Sequence, residues 1–317
     1  MKTVAVMTSG GDAPGMNAAI RGVYGRAKEY GYRVLGIRNG YTGLLFRDIF
    51  ELCYEDVEHI VRMGGTILGT ARCEEFYTEE GQKKAADICR EIGIDAVVVI
   101  GGDGSFKGAL KLANQGIGVI GIPGTIDLDI ACTEYTLGYD TAVNAAMEAI
   151  DRIADTSMAH RCYSVIEVMG HRAGYIAMSC GIATAAQKIL IPERHTIDHL
   201  IEDLKRRNEQ GGIIVLSEGV GKAEEAAALI EKELHIHTRA NVLGFLQRGG
   251  NPTCWDRVCG CRMGAYAVDL FKRNCNRHVV AIKKGAITSE QIEKALLETR
   301  EFPEELYRAG KTISEVH

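Results

Sequence analysis

The feature that most constrains the fold is a set of three loops rich in glycine and aspartate, each directly following a short apolar run. The three pairs of run and loop are Val4–Met7 with Thr8–Asn17, Ala96–Ile100 with Gly101–Ser105, and Val119–Ile122 with Pro123–Asp129. Short apolar runs bounded by turn residues predict buried strands. In an open parallel sheet, ligands bind outside the carboxyl ends of the strands. We therefore expect the three loops to converge on one site.

Short apolar runs alternate with longer helical patterns along almost the whole chain. The predicted strands are Thr3–Thr8, Arg33–Ile37, Ala96–Ile100, Gly118–Ile122, Ser164–Val168, Lys188–Ile191, Ile213–Ser217 and Val279–Ile282. The predicted helices are Met16–Tyr30, Gly81–Ile92, Ser105–Asn114, Thr141–Asp155, Thr196–Arg207, Glu224–Leu234 and Ser289–Glu298. This alternation predicts an α/β fold with mainly parallel sheets covered by helices on both faces. At 317 residues the chain is longer than one core usually supports, so we expect two lobes.

The net charge and the lengths of the apolar runs limit the kinds of molecule that the protein is expected to bind. The formal net charge is -5, which argues against nucleic acid or an anionic membrane as the main partner. No apolar run approaches the ~20 residues of a membrane helix, and the first glycine-rich loop begins too close to Met1 for a signal peptide. We therefore expect a cytoplasmic protein.

Ten cysteines raise the possibility of a metal site or disulfides. They are scattered, and the tightest group is Cys254, Cys259 and Cys261, with no Cys-x-x-Cys pair. A structural zinc site usually takes two spaced pairs of ligands. We interpret the cysteines as small hydrophobic residues in a reducing compartment.

The loop Gly101–Ser105 carries three glycines around one aspartate. A tight turn between strand and helix would need only one or two glycines, so the pattern favours phosphate binding at a helix N-terminus. We expect Ser105 to be the N-cap of that helix. Asp103 would then lie near the polyphosphate and hold Mg²⁺ through water.

A second acidic pattern lies at Asp127 and Asp129. In an extended stretch, residues two apart point to the same face, and the apolar residues Ile126 and Leu128 would take the other face. The alternative is a solvated acidic loop. We favour a site in which one carboxylate accepts the proton of an attacking hydroxyl, with Thr125 beside it. Arg72, beyond a Gly-Gly turn, suits a transferring phosphate but is a weak signal alone.

Together these stretches resemble the ATP-dependent 6-phosphofructokinase family of bacterial type, over essentially the whole chain. The matching segments are Thr8–Asn17, Gly64–Leu68, Thr70–Arg72, Gly101–Ser105, Gly124–Asp129, Asp140–Asn144, Val165–Gly170 and Leu246–Gly250. The resemblance implies two Rossmann-like lobes with the active site in the cleft between them, in a homotetramer. Residues 1–138 with about 251–300 would form the nucleotide-binding lobe, and 139–250 with about 301–317 the sugar-phosphate-binding lobe.

The resemblance also implies roles for individual residues. Asp127 corresponds to the catalytic base, with Thr125, Asp129, Gly11, Arg72 and His171 in the catalytic group. The positions expected to bind ATP are Gly11, Arg72, Cys73, Gly102, Asp103, Gly104, Ser105 and Gly108, with Asp103 also associated with Mg²⁺. The positions expected to bind the sugar phosphate are Thr125, Asp127, Met169, Gly170, Glu218, Arg239, Phe245 and Arg248. Pyrophosphate-dependent members carry bulkier residues where this chain has Gly104 and Gly124, so ATP is the expected donor.

Three positions differ from the family pattern in the sugar-phosphate half. Cys162 and His171 stand where the family has arginine, with Arg161 and Arg172 next to them, and Phe245 replaces a histidine. Three interpretations stay open: a fructose 6-phosphate kinase with an altered pocket, a kinase of another sugar phosphate, or a poorly active subunit that binds nucleotide and pairs with a paralogous kinase. A Rossmann dehydrogenase is disfavoured because Gly-x-Gly-x-x-Gly does not follow the first strand.

The expected effector site differs as well. Arg21 is retained there, but the family's other basic or acidic side chains are replaced at Gly25, Tyr54, Ala154, Gln187 and Gly211. A weaker positive field should bind a phosphorylated effector poorly. We therefore expect little response to ADP or phosphoenolpyruvate.

Overall fold

The structure, a computed structural model, describes residues 1–207 and 211–314, and the chain divides into two compact units. The first unit comprises Met1–Asp140 and Arg248–Arg300, and the second comprises Thr141–Gln247 and Glu301–His317. Each unit is built from two separate stretches of the chain. Arg248, which we expected in the second lobe, belongs to the first unit.

The described residues form eleven strands and twelve α-helices in mixed order. The strands are β1 (Thr3–Thr8), β2 (Arg33–Ile37), β3 (Ile49–Glu51), β4 (Ala96–Gly101), β5 (Gly118–Pro123), β6 (Tyr163–Val168), β7 (Lys188–Leu190), β8 (Gly212–Ser217), β9 (Thr238–Val242), β10 (His278–Lys283) and β11 (Ala286–Gln291). The helices are α1 (Met16–Glu29), α2 (Gly40–Leu45), α3 (Tyr54–Val57), α4 (Glu79–Ile92), α5 (Asp103–Asn114), α6 (Tyr139–His160), α7 (Tyr175–Ala183), α8 (Ile197–Arg207), α9 (Ala223–Leu234), α10 (Cys254–Lys272), α11 (Ile292–Ala295) and α12 (Glu304–Ser314).

The first unit contains a seven-stranded sheet in the order β11-β10-β5-β4-β1-β2-β3. Its five central strands are parallel, and only the two edge pairs, β2 with β3 and β10 with β11, are antiparallel. Every residue of β1 and β4 is buried, as expected for strands covered on both faces. The prediction of an α/β fold with mainly parallel sheets is confirmed.

One face of this sheet packs on α4 and α5. Met7 and Val99 of the strands belong to the same buried cluster as Ala85 and Cys89 of α4 and Leu112 of α5. Alternate strand residues point to the other face, where Val4 and Val6 are also fully buried. The largely apolar composition of the central strands follows from this two-sided burial.

Helices α1 and α10 pack against each other through glycines. A β-carbon at Gly264 would stand 2.1 Å from the carbonyl oxygen of Ala19, and one at Gly22 would stand 2.3 Å from that of Cys261. Only glycine allows the two backbones to approach so closely. This contact fixes the start of α10 next to the start of α1.

The helix predicted over Ser289–Glu298 is wrong in its first part. Residues Ala286–Gln291 form β11, and the helix is only the short α11 that follows. Lys284 and Gly285 join β10 to β11 with φ of 52° and 72°, the conformation of a two-residue type I′ hairpin turn. Pairing with β10 therefore overrides the local helical preference.

The second unit contains a four-stranded parallel sheet in the order β7-β8-β6-β9. Its core combines Tyr163 and Val165 of β6 with Leu200 of α8 and Ile230 of α9. The prediction missed β9, α7 and α12 in this unit, and β3, α2, α3 and α10 in the first unit. Among the described residues, no helix has the length and apolar character needed to span a membrane.

Candidate active site

The three predicted loops of the first unit lie side by side. They follow β1, β4 and β5, which are neighbouring parallel strands. Ser9 N donates to Ile100 O at 3.0 Å, and Gly124 N donates to Gly101 O at 3.0 Å. The convergence expected from the sequence is therefore present.

Glycine is required where the loops meet. A β-carbon at Gly101 would stand 2.4 Å from Ser9 O and 2.5 Å from the Ser105 hydroxyl. Gly10 has a φ of 85°, and its β-carbon would stand 3.3 Å from the same hydroxyl. Both glycines thus serve close packing of the loops around the buried side chain of Ser105.

Helix α5 begins earlier than we expected. Its first residue is Asp103 and its N-cap is Gly102, so Ser105 lies inside the first turn and is not the N-cap. The first N–H groups of a helix have no partner within it. The N–H groups at the start of α5 and those of the glycine-rich loop before it can therefore donate several hydrogen bonds to an anion. A side chain at Gly104 would enter open space.

The carboxyl group of Asp103 lies at the surface beside the start of α5. Partial burial and the negative charge of Asp129 raise its pKa, while Lys107 counteracts the shift. Asp103 and Asp129 are thus electrostatic neighbours, although they follow different strands. A pair of carboxylates offers the hard oxygen ligands that Mg²⁺ prefers.

The Thr125–Asp129 segment is a turn and not an extended stretch, which corrects the basis of our alternation argument. Leu128 has a φ of 55°, and the Thr125 hydroxyl accepts a hydrogen bond from Asp127 N at 3.2 Å. The burial pattern is nevertheless as expected: Ile126 and Leu128 are buried, Asp127 is half-buried and Asp129 is exposed. The turn therefore leaves the two carboxylates less buried than the apolar residues that alternate with them.

The segment from Gly64 to Arg72 is tied to the first loop. Asn17 of α1 donates to Met63 O and Gly65 O at 3.0 and 2.8 Å and accepts from Ile67 N at 2.9 Å. Thr8 donates to Gly69 O at 2.7 Å. The segment is thus fixed next to the glycine loop.

Helix α2 contacts both expected nucleotide-binding segments. The Thr42 hydroxyl donates to Arg72 O at 3.2 Å, with the Arg72 side chain exposed and Cys73 half-buried. Tyr41 is buried, and its hydroxyl donates to Ser105 O at 2.7 Å. A β-carbon at Gly108 would stand 2.7 Å from the Tyr41 ring. Sequence reasoning missed Tyr41, because no local pattern marks it.

In the second unit, the expected sugar-phosphate residues Met169, Gly170 and His171 follow β6, and Glu218 follows the adjacent strand β8. One Glu218 oxygen accepts from Gly170 N at 3.1 Å and from His171 N at 2.8 Å. The buried Gln247 accepts from Met169 N at 2.9 Å. Gln247 lies in a segment that carries the family resemblance, but the sequence alone indicated no role for it.

Arg239 and Phe245 are placed differently. Arg239 is an exposed residue near the start of β9, in register with Ser164 near the start of β6, whereas Met169 follows the end of β6. Five residue steps, from Ser164 to Met169, separate these levels, or roughly 16 Å. Phe245 lies beyond β9 and is 78% exposed. Within one chain, Arg239 is therefore at the opposite end of the sheet from Met169 and Glu218.

Cys162 lies at the same end of the sheet as Arg239. It precedes β6 and is buried, with its thiol directed at Ser157 O at 3.9 Å. The neighbouring Arg161 is exposed and has a φ of 49°. The two neighbouring residues therefore differ in exposure, so Arg161 does not occupy the buried position of Cys162.

Comparison with known proteins decides the family. The sequence profile of the phosphofructokinase family matches residues 3–271. The chain belongs to this family. It is 49% identical to the ATP-dependent 6-phosphofructokinase of Clostridium tetani, over 99% of this chain and 100% of that protein. The comparisons do not bear out our expectation that the sugar-phosphate and effector sites are altered.

Solved structures of phosphofructokinases share the fold. The structure of phosphofructokinase from Saccharomyces cerevisiae superposes with a TM-score of 0.87 at 30% identity and covers 99% of this chain. This chain spans only 48% of the yeast chain, about half its length. A pyrophosphate-dependent phosphofructokinase from Marinobacter aquaeolei has a TM-score of 0.85 at 22% identity, covering 96% of this chain and 86% of that one. That similarity concerns the fold alone, so the fold does not distinguish the phosphoryl donor.

Proposed function

We propose that this protein transfers the γ-phosphoryl group of ATP to the 1-hydroxyl of fructose 6-phosphate, giving fructose 1,6-bisphosphate in glycolysis. The observation that carries the proposal is full-length identity of 49% to a bacterial enzyme named for this ATP-dependent activity. The convergence of three glycine- and aspartate-rich loops at one sheet edge supports it.

In this reaction Asp127 accepts the proton of the 1-hydroxyl as its oxygen attacks the γ-phosphorus, and the bond to the bridging oxygen of ADP breaks. The Gly11 N–H and Arg72 stabilise the charge on the transferring group. Thr125 and Asp129 position the base, and the backbone around Gly102–Ser105 binds the phosphates. Cys73 and Gly108 are assigned to the rest of the nucleotide site.

ATP is preferred over pyrophosphate on steric grounds. Gly104 opens onto empty space at the start of α5, so the chain leaves room there for a group beyond the polyphosphate. At Gly124 a β-carbon would stand 3.0 Å from the Met16 methyl group and 3.1 Å from a methyl group of Ile100. The bulkier residues of pyrophosphate-dependent relatives would fill the first position and clash at the second.

Mg²⁺ is assigned to Asp103. Burial and the charge of Asp129 raise the pKa of this carboxyl. A bound cation would stabilise the ionised forms of both acids. Among residues 1–207 and 211–314, no group of three or more His, Cys, Asp or Glu side chains has metal-site geometry. Water and phosphate oxygens would therefore complete the coordination shell, as is usual for this ion. When bound, Mg²⁺ neutralises charge on the phosphates.

The sugar phosphate is assigned to Met169, Gly170, His171, Glu218 and Phe245, together with Arg248 and, from the other end of the sheet, Arg239. Because Arg239 and Met169 lie at opposite ends of one sheet, we propose that Arg239 acts in the site of a second copy. This placement supports an assembly of at least two copies, and the homotetramer that we expected from the family would provide them. Light scattering coupled to size exclusion would measure it.

The test of the function is turnover against a panel of sugar monophosphates with ATP or pyrophosphate as donor. We expect fructose 6-phosphate with ATP to give the highest kcat/KM. A better acceptor, or equal rates with pyrophosphate, would contradict the proposal. ATP binding without turnover on any acceptor would indicate the nucleotide-binding subunit instead, and turnover restored by a paralogous kinase would establish the hetero-oligomer.

A further inference from the structure

One acid of the first unit is deeply buried and has no role in the site described above. Asp256 is 0% exposed, and a single oxygen of its carboxylate accepts from Tyr135 OH at 2.7 Å and from Gly138 N at 2.6 Å. Burying a carboxylate is costly unless it is well hydrogen-bonded. The hydrogen bonds from Tyr135 and Gly138 therefore stabilise the buried carboxylate, and the carboxylate in turn holds these two donors in place.

The position of Asp256 in α10 explains how the fold tolerates this burial. The residue lies in the first turn, and its N–H donates at 3.3 Å to the hydroxyl of Thr253, the N-cap. The positive end of the helix dipole favours a carboxylate there. The close packing of α10 on α1 holds this turn in place.

The donors to Asp256 belong to the segment Thr133–Gly138, which we call the support loop and which runs beside the catalytic turn. Leu137 N donates to Pro123 O at 2.9 Å, and Leu137 pairs with Gly124 in an isolated parallel bridge. The fully buried Thr136 donates its hydroxyl to Thr125 O at 2.7 Å. The support loop thus holds the start of the turn that carries Asp127.

Asp256 also contacts the glycine loop that follows β1. A β-carbon at Gly15, which has a φ of 100°, would stand 3.3 Å from the Asp256 Cβ and from its backbone oxygen. A β-carbon at Gly138 would stand 2.7 Å from the Ala13 Cβ. One side chain therefore touches both the loop that carries Gly11 and the support of the loop that carries Asp127.

We propose that Asp256 is a positioning residue for phosphoryl transfer: through Tyr135, Gly138 and the support loop it fixes the Thr125–Asp129 turn relative to the glycine loop. This inference rests on the role proposed above for Asp127 as the base. An error of about 1 Å in the position of a catalytic group can cost on the order of 10²-fold in rate. The effect should fall on kcat and not on nucleotide binding, because the support loop bonds to Pro123, Gly124 and Thr125, at the start of the turn that carries the base.

The main test is Tyr135→Phe, which removes one donor to Asp256 and keeps the ring that packs edge-on against Trp255 at 5.8 Å. We expect kcat to fall about 10- to 100-fold with KM for ATP unchanged. The matched control is Tyr30→Phe, because Tyr30 OH also donates at 2.7 Å to an aspartate of α10, Asp269. Both variants lose a bond from a tyrosine hydroxyl to an aspartate carboxylate, and Tyr135→Phe also removes the acceptor of a longer bond from Asp140 N at 3.4 Å. Only Tyr135 is linked to the catalytic turn.

Two further measurements keep the test decisive. Thr136→Val, a nearly isosteric change, should lower kcat in the same way, since it removes the bond to Thr125 O. Hydrogen exchange of the Thr125–Asp129 amides should accelerate in Tyr135→Phe and not in Tyr30→Phe, whichever acceptor the enzyme uses. Equal kcat and equal exchange in the two tyrosine variants would overturn the inference and leave Asp256 a purely structural residue. A wild-type preference for another acceptor would contradict only the proposed function.

Discussion

The guanidinium group of Arg248 lies directly against the backbone of Gly11. A β-carbon at Gly11 would stand 3.3 Å from both Cζ and one terminal nitrogen of Arg248. Arg248 was expected to bind the sugar phosphate and Gly11 the transferring phosphate, and the first unit brings the two together. A cation at this position can stabilise negative charge on a phosphoryl group next to Gly11.

This contact makes the size of residue 11 critical. We expect Gly11→Ala to lower kcat by about tenfold, because the new methyl group displaces the guanidinium by a few tenths of an ångström. Steady-state kinetics with both substrates varied would measure the effect. Gly25→Ala is the control, since its β-carbon would enter open space on α1. There alanine should stabilise the helix by about 0.5–1 kcal/mol and leave kcat unchanged.

If Asp127 is the base, its replacement should lower kcat and leave ATP binding unchanged. Asp127→Ser should lower kcat at least ~10²-fold, the low end for loss of a general base, because serine cannot take the proton of the hydroxyl. ATP affinity, measured by calorimetry, should stay close to that of the wild type. A variant that turns over at nearly the wild-type rate would rule out this role for Asp127.

The sequence predicted the part of the site that depends on local pattern. Buried parallel strands must be apolar on both faces, so β1, β4 and β5 and the loops after them could be located from the run lengths alone. The parallel arrangement then placed the loops of Thr8 and Gly101 at one edge. No contact between distant residues was needed for that step.

The parts that failed depend on contacts between residues distant in the sequence. Ser289 lies in a strand because it pairs with β10, although its local sequence favours a helix. The bond between Tyr135 and Asp256 joins residues 121 apart, and nothing near either residue marks it. Leu128 adopts a left-handed conformation that leucine rarely takes, so no propensity could predict it. The turn is set by its surroundings.

Partial burial of Asp103 and the neighbouring charge of Asp129 predict a pH-dependent stability. The pKa of Asp103 is raised in the folded protein above its ordinary value of 3.8, so its ionised form destabilises the fold at neutral pH. Asp103→Asn should therefore raise Tm at pH 7 without Mg²⁺, and the gain should shrink as pH falls through the raised pKa toward 3.8. Calorimetry across this range would test it, and a gain independent of pH would contradict an electrostatic origin.

The same variant separates stability from activity. Asp103→Asn should lower turnover at least about tenfold at limiting Mg²⁺ and raise the Mg²⁺ concentration needed for half-maximal rate, because a charged oxygen ligand is lost. Asp87→Asn is a suitable comparison, since Asp87 pairs with Arg90 on an exposed face of α4. It should change neither quantity.

The loop after β6 depends on Glu218, which accepts from Gly170 N and His171 N. Glu218→Ala should raise KM for fructose 6-phosphate by about tenfold or more, since loss of hydrogen bonds to a charged group typically costs ~1.5–3 kcal/mol. KM for ATP should not change. Glu218→Gln keeps one carbonyl oxygen as an acceptor and should show a smaller increase. If the alanine and glutamine variants have equal KM values, the two backbone bonds do not organise the sugar-phosphate site.

Arg239 provides the sharpest test of the proposed assembly, because it lies at the opposite end of the sheet from Met169. If Arg239 completes a site in a second copy, Arg239→Ala and Asp127→Ser should each be nearly inactive alone at low fructose 6-phosphate. Mixed oligomers of the two would then recover activity, because some sites would combine an intact Asp127 from one copy with an intact Arg239 from its neighbour. Random pairing gives up to about a quarter of the sites. The variants should be unfolded and refolded together, with separately refolded samples mixed afterwards as the control. Absence of recovery after joint refolding would contradict the proposal that Arg239 completes the site of a second copy.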